Sequence, residues 1–466
     1  MTLRITKPLE QFSWQPQPRA QQLVHDLLAQ FLSRSPQTAQ LGERMRNETG
    51  TRLVDWIDHF VFPQSSDLEQ QLKYAGFSEI SLPGAEQCFI QDQGIFPVII
   101  LTDGGSLRTA LKVESVADFL AIWQECAHEA IEGPPLAPVR RAKVFHDDEA
   151  ELIVIERHGY AGFDIPPWTD HQTAAVLRHQ EAFRRRNRSF ADDEAGFAWA
   201  HRLLNAAIGE IGVDRTCDLF FAAEREYWQR KNRAAQAQKA RQDCLGLGWA
   251  NHDHHTYRSS RRHFAALVGL WEKLGFTIRE RFYAGREAGW GAQIMEQPTT
   301  KIITFNDVDL APDELFNDFA HQPLPERREL GTVGLWCALH GESFLQAGMH
   351  HLEAQFDFEA LRTQLEREAG VRTMKPFTDF PHLRQAFTEG ERWDVPENRI
   401  AALLKKAQIT EAQARQFRQE GAIGSHLENL ERNEGFKGFN QKGVSEIITA
   451  TDPRKNPKAA KSSAGA

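Results

Sequence analysis

Residues 251–276 read NHDHHTYRSSRRHFAALVGLWEKLGF, a strand pattern that runs directly into a helical one. HHTYRS has the β-branched and aromatic content of a strand, while the apolar residues of RRHFAALVGLWEKLGF recur at the helical period. FTIRERFY, GWGAQIMEQ and KIITFND follow as strand candidates. The order is therefore β-α-β-β-β.

Related patterns lie on both sides. Upstream, LVDWIDHFVF reads as a strand, SDLEQQLKYAGF as a short helix ending at Gly76, and FPVIIL, LRTALKVES and AELIVIERHG as further strands. Downstream, GMHHLEAQF reads as a strand and EALRTQLEREAG as a helix. A mostly helical stretch then runs through Phe417, and HLENLERN and VSEIITATD close the unit as strands. IERHGYAGF from Ile155 and LERNEGFKGF from Leu430 share a Glu-Arg pair followed by an aromatic and glycine cluster. Repetition of one supersecondary unit usually means that the units build a sheet together.

These readings divide the chain into a helical segment over 1–50, a first module over 51–165, a helical insertion or arm over 166–248, a second module over 249–330, a third module with its own helical insertion over 331–452, and a disordered tail over 453–466. The N-terminal segment carries an amphipathic helix at about Ala20 to Ser33. The expected class is α+β, with repeated βαβββ modules forming a curved, partly closed mixed sheet around a metal site.

With 41% hydrophobic and 26% charged residues, the 466-residue chain can bury a core, and its net charge of -9 gives no general pull toward nucleic acid or anionic membrane. Arg184, Arg185, Arg186 and Arg188 are followed by Asp192, Asp193 and Glu194, the pattern of a solvated helix face. Five cysteines without CxxC spacing argue against a disulfide framework or a thiolate zinc cluster and for a reducing, cytoplasmic setting. The start, MTLRITKPLEQFSW, lacks an apolar signal core, and FPVIIL is too short to span a bilayer, so no membrane partner is expected. No Walker A or Rossmann fingerprint occurs. Ser343 in LHGESF lacks a nucleophile elbow, and HHLEAQF is not HExxH.

The histidine pairs carry the chemistry. Divalent transition ions take imidazole and carboxylate ligands, and two His with one carboxylate on one face is a usual set for non-haem iron. Strand alternation puts His351, Glu353 and Gln355 on one face and His350, Leu352, Ala354 and Phe356 on the other, so His351 points away from the apolar side. His254 groups with His252, Thr256 and Arg258; His255 groups with Asp253, Tyr257 and Ser259 and stays an alternative, as does His350 for His351. In HLENLERN alternation alone decides little. Glu431 is chosen because Glu156 stands at the matching place in the earlier copy, and His59 with Glu156 forms a rival site. His201, His321, His340 and His382 read as structural. Fe(2+) is the expected ion, with Mn(2+) or Zn(2+) as alternatives.

The strand order and the His, His, Glu placement resemble the vicinal oxygen chelate superfamily, whose paired βαβββ modules curl around a metal bound by a His on each first strand and a Glu near the end of the second module. More narrowly, His254 with Arg258, His351-Leu352, and LERNEGFKGFNQKG resemble pieces of the 2-oxoadipate dioxygenase/decarboxylase family. That resemblance implies Fe(2+) held by His254, His351 and Glu431, a 2-oxo acid and dioxygen as partners, oxidative decarboxylation, and Arg258 gripping a distal carboxylate. Asn251, Glu353 and Gln355 would be neighbours that orient the imidazoles. Self-association is compatible with the sequence. The competing functions are a glyoxalase-like metal-dependent lyase or isomerase, and a non-catalytic small-molecule-binding protein.

Overall fold

The computed structural model describes residues 13–440 and 452–454. Two helices, α1 (Pro18–Leu32) and α2 (Pro36–Arg44), precede the first strand. The expected strand LVDWIDHFVF begins late, because Leu53–Trp56 close a tight helical turn before β1 (Ile57–Pro63). Then come α3 (Ser66–Tyr74), β2 (Ser78–Leu82), β3 (Ala85–Ile90), β4 (Val98–Thr102), β5 (Leu107–Lys112), α4 (Val116–Ile122), β6 (Val139–His146) and β7 (Ala150–Arg157).

Residues 51–165 thus hold two units, β1-α3-β2-β3-β4 and β5-α4-β6-β7, where the periodicity gave one. The missing elements explain the difference. β2 and β3 are short and lie at one end of the sheet, and β2 is largely exposed, so no apolar alternation marks them. α4 spans only seven residues, and β6 carries Arg140, Arg141 and Lys143 in a strand. Together the two units form a seven-stranded sheet in the order β2-β3-β4-β1-β5-β7-β6.

The span expected as an insertion or arm is four helices, α5 (Asp170–Arg184), α6 (Asp193–Ile211), α7 (Val213–Gln229) and α8 (Arg233–Asp243). It is built into the body of the protein. Phe220 and Phe221 of α7 pack in one core with Tyr257, Trp271, Leu352 and Leu427.

The second half follows as β8 (His252–Arg258), α9 (Phe264–Lys273), β9 (Thr277–Tyr283), β10 (Trp290–Glu296), β11 (Ile303–Asp309), α10 (Thr332–His340), β12 (His351–Gln355), α11 (Phe358–Ala369), β13 (Thr378–Phe380), β14 (Leu383–Phe387), β15 (Glu391–Trp393), α12 (Glu397–Lys405), α13 (Glu411–Glu420) and β16 (Ala422–Arg432). The stretch expected to be mostly helical through Phe417 therefore also contains the small hairpin β13-β14, whose strands of three and five residues are too short to show a period. The strand expected in VSEIITATD, Asp452 apart, and nearly all of the C-terminal tail lie outside the described residues.

The nine strands β8 to β16 form the second mixed sheet, in the order β13-β14-β16-β12-β8-β11-β10-β9 with β15 on β16. Both sheets obey one rule. The first strand of each unit lies parallel to its last (β1 with β4, β5 with β7, β8 with β11, β12 with β16), and the two first strands of a pair run antiparallel at the centre (β1 with β5, β8 with β12). This is an α+β architecture of four repeated units in two sheets.

Local chemistry sets the turns from strand to helix. Ser65, Ser115 and Asp357 accept from backbone N–H groups two to three residues into α3, α4 and α11 at 3.1, 3.2 and 3.0 Å, the usual role of these residue types at a helix start. One face of each sheet packs on helices: α1 and α2 share a core with Phe60, Phe62, Leu111 and Leu152. The other face of the nine-stranded sheet is closed by α10, whose Val333, Trp336 and Cys337 pack with Ile294, Ile303, Phe305 and Phe439.

Candidate metal centre

Register decides which side chains meet. His254 stands opposite Glu353 across β8 and β12, Thr256 stands opposite His351, and Glu353 stands opposite Glu428 across β12 and β16. Directly paired residues share a face. All four donors, His254, His351, Glu353 and Glu428, are therefore brought to one patch at the centre of the sheet, and all are buried.

The contacts are close. His254 Nε2 meets Glu353 Oε2, and His351 Nε2 lies 3.6 Å from Glu353 Oε1 and 3.4 Å from Glu428 Oε2. His351, Glu353 and Glu428 offer ligand atoms within 4.8 Å of one another. Apart from this mutual contact, His254 Nε2 and Glu353 Oε2 have no hydrogen-bond partner among the described residues although both are buried. Unpartnered buried donors of this kind are costly in a protein interior.

The imidazole of His254 is held from behind. Its Nδ1 lies 2.7 Å from Asp253 Oδ1, which fixes the ring so that Nε2 turns its lone pair to the patch. Asp253 is in turn gripped by Arg432 at 2.9 and 3.1 Å and accepts from Gln355 Nε2 at 3.1 Å. Burial would raise the Asp253 carboxyl, but Arg432 and His254 outweigh it and hold it below the usual carboxylate range. Burial lowers His254 to about 4 against the pull of Asp253, and it lowers His351 well below the imidazole range. Both rings are neutral at pH 7, the state that ligates. Burial drives Glu428 well above the usual carboxylate range, opposed by the hydrogen bond from Gln385 Nε2 at 2.8 Å. A cation is what would hold two adjacent buried carboxylates ionised beside two neutral imidazoles, so this donor set fits a divalent metal.

Glu431 is not brought to the patch. It lies on the opposite face of β16, where its Oε2 accepts from the backbone N–H of Phe358 at 2.8 Å and its Oε1 accepts from Asn433 at 3.1 Å, with Arg52 at 3.6 Å. Glu156 has the same post in the earlier copy: it accepts from Val116 N at 2.5 Å and from Arg140 at 2.9 Å. The repeat comparison therefore matched two true counterparts, but both anchor the first turn of a helix, α4 and α11. Glu428, three residues earlier, shares the patch. Alternation within HLENLERN puts Glu428 and Glu431 on opposite faces; what a single strand does not contain is its register against β12.

His255 points to the helical side, 3.2 Å from Arg225 and edge-on to Phe221 at 5.1 Å. His350 lines the cavity but faces Gly424 O at 3.1 Å. Asn251 donates to Gln355 O at 2.9 Å, one step behind the Asp253 support. His340 faces Ile423 O at 3.2 Å, and His321 sits between Asp318 and Glu272. His59 and Glu156 lie on opposite faces of their sheet and form no joint site: His59 Nδ1 faces Asp58 at 2.6 Å, and Arg157 grips Asp58 at 2.7 and 2.8 Å.

A cavity of about 70 Å³ lies over the patch, lined by His351, Glu353, Glu428, Thr256, Arg258 and Asp307 among others. Arg258 reaches Asp307 at 3.5 Å through Nε, and its Nη1 has no hydrogen-bond partner among the described residues. Burial raises Asp307 to about 7, with Arg258 pulling the other way. Arg258 thus brings a guanidinium to the wall of the space beside the donors.

A second group, Asp193, His263 and Glu342, also converges. There each ring nitrogen of His263 faces a carboxylate, Glu194 at 3.1 Å and Glu342 at 3.3 Å. Burial disfavours the charged ring, but these carboxylates win and raise it to about 8. This is an ion-paired cation, not a free ligand.

No protein-family model and no curated protein matches the chain. Among solved structures it is similar to a glyoxalase superfamily protein from Ralstonia eutropha (13% identity, 57% of this chain and 97% of that chain, TM-score 0.31). It is also similar to methylmalonyl-CoA epimerase from Mycobacterium tuberculosis (13%, 40% and 89%, TM-score 0.23) and to that from Streptomyces coelicolor (16%, 39% and 96%, TM-score 0.21). No helix among the described residues is long and apolar enough to cross a membrane.

Proposed function

We propose that His254, His351 and Glu428 hold a divalent metal, and that the protein is a metal-dependent enzyme acting on a small organic acid. The observation that carries this reading is the convergence of two buried imidazoles and two buried carboxylates on one patch, with the Arg258 guanidinium, whose Nη1 has no partner among the described residues, lining the same small cavity. Fe(2+) is the ion we favour, and a 2-oxo acid undergoing oxidative decarboxylation with dioxygen is the reaction we favour, in keeping with the two-His, one-carboxylate set. Bound there, the metal would supply Lewis acidity and open positions for substrate oxygens.

The protein's own residues have separable tasks. Arg258 would pair with a substrate carboxylate through its free Nη1 edge. Asp253, fixed by Arg432, keeps the proton on His254 Nδ1. Phe305 and Phe439, packed edge-to-face at 5.1 Å with His254 beside them, keep bulk water from the patch.

A glyoxalase-like lyase or isomerase is the second reading, and Glu353 is what favours it. A carboxylate beyond the three ligands, touching both imidazoles, is suitably placed to take a proton from a bound substrate.

The test is metal content of anaerobically purified protein for wild type and for His254→Ala, His351→Ala, Glu428→Ala and Glu431→Ala, followed by oxygen uptake with 2-oxo acids. About one metal per chain in wild type and in Glu431→Ala, and loss in the other three, is the expected result. Metal retained by Glu428→Ala and lost by Glu431→Ala would refute the ligand set, and metal-dependent turnover without oxygen uptake would move the lyase reading to the front.

A further inference from the structure

The seven-stranded sheet has a floor that corresponds, residue by residue, to the metal patch. His59 stands opposite Ala110 across β1 and β5, and Ala110 stands opposite Ile153 across β5 and β7. These are the places of His254, Glu353 and Glu428. Arg108, two residues before Ala110, takes the place of His351. The support of the first imidazole is retained as Asp58 with Arg157. The floor has therefore exchanged two carboxylates and an imidazole for two apolar side chains and a guanidinium. A divalent cation has no ligand set here, and the sign of the charge has reversed.

The space above this floor is also different. Where α10 and Phe439 fill the concave side of the nine-stranded sheet, the seven-stranded sheet keeps a cavity of about 730 Å³, in the size range of small-molecule sites. Arg108 lines it, half-buried and without a hydrogen bond or ion pair among the described residues. Carboxylates nearby are engaged elsewhere: Glu132 with Arg141 at 2.7 Å, Glu151 with Lys143 at 3.0 Å, and Asp164 with the Tyr160 hydroxyl at 2.6 Å. Asp103 is exposed at the mouth. His59 gives its Nδ1–H to Asp58, so its Nε2 is a hydrogen-bond acceptor, and Val61, Ile100 and Phe163 form an apolar wall beside it.

We propose that this cavity is a second, metal-free binding site for a small hydroxy acid, with the carboxylate on Arg108 and the hydroxyl donating to His59 Nε2. Arg108 and His59 are diagonal neighbours on adjacent strands, a separation of about 7–8 Å at the backbone that a short acid bridges with a hydrogen bond at each end. The apolar wall takes the methylene of the chain, and a second carboxylate, in an acid that carries one, stays at the solvent-facing mouth. The site stands independently of the metal reading, because the two floors lie on different sheets.

Calorimetric titration of the full-length, metal-stripped protein with L-malate, and with succinate as the hydroxyl-free counterpart, tests this. Malate binding is expected in wild type and, unchanged, in His351→Ala. It should weaken about tenfold or more in Arg108→Ala and less in Arg108→Lys, which keeps the charge without the fork. Arg108 is half-buried and unpaired, so its truncation leaves the fold intact, and equal melting temperatures verify that. Absence of malate binding at millimolar concentration, unaltered binding by Arg108→Ala, loss of binding in His351→Ala, or succinate binding as tightly as malate would each overturn the proposal.

Discussion

Replacing Glu428 and Glu431 separately by Gln puts the two carboxyl groups of β16 to opposite tests, because each isosteric change exchanges a carboxyl for an amide and little else. Glu428 is buried to 1% exposure, and burial already drives its carboxyl toward the neutral form, so a neutral amide suits the metal-free protein better than the carboxylate does. Gln385 still has an oxygen to donate to. Metal-free Glu428→Gln should therefore melt no lower than metal-free wild type, and higher as pH rises. Its metal affinity should fall by more than about 100-fold, since even groups that only support a ligand are worth 10–100-fold. Glu431→Gln loses a charged acceptor at the start of α11 and weakens its contact with Arg52, which costs about 1–2 kcal/mol, but it should bind metal as wild type does. Scanning calorimetry at one fixed rate, with and without chelator, and a competitive metal titration supply both readouts. A metal-free Glu428→Gln that melts well below wild type, or a Glu431→Gln that loses metal, would refute the assignment of the two faces.

Three further outcomes follow from the same geometry. Asp253→Asn removes the negative charge shared by His254 Nδ1 and Arg432 and turns one acceptor oxygen into a donor, so metal affinity should drop about 10–100-fold, and melting should also drop, because Arg432 is left buried with its charge unpaired. Arg258→Lys should raise KM for an acid substrate about tenfold or more with a smaller change in kcat, measured by steady-state kinetics, since an ammonium does not reproduce the guanidinium fork; equal KM would remove Arg258 from substrate binding. His263 titrates at about 8 in the folded protein, above its ordinary 6.5, because Glu342 and Glu194 outweigh burial. Its contribution is complete below about pH 6.5 and is lost as pH rises through about 8, a change of about 1–2 kcal/mol after allowing for the exposure of Glu194. Denaturant unfolding at pH 6 and pH 9 should show that loss in wild type and not in His263→Gln.

The legible parts of the fold were those with a period or a cap. The stretch 251–276 announced β8 and α9, and the Ser and Asp residues that open α3 and α11 are local signals. β2, β3 and β6 were not legible because nothing in their sequence alternates cleanly, and with them went the count of units in residues 51–165. In the site, His254 and His351 could be placed on a face from alternation within their own strands. Glu353 could be seen to share the face of His351, while the choice between Glu428 and Glu431 depends on how β16 lies against β12, which is a property of two strands whose paired residues are 75 positions apart.

The repeat misdirected that choice for a physical reason. What two copies of a unit retain in common is what the unit needs to fold, and Glu156 and Glu431 both cap the helix that follows the first strand. Asp58 with Arg157 and Asp253 with Arg432 are likewise common to both copies, and both orient an imidazole. What distinguishes the copies is the centre of the floor: Arg108, Ala110 and Ile153 in one, His351, Glu353 and Glu428 in the other. Chemistry specific to one site therefore has to be sought where the copies differ. A chain carrying Arg108→His, Ala110→Glu and Ile153→Glu restores the donor set on the first floor beside His59, and should take up a second metal with the melting temperature rising on its addition. Failure to bind a second ion, in a variant that still folds and still binds the first, would show that the supporting Asp–His–Arg arrangement and the strand register do not suffice to make the site.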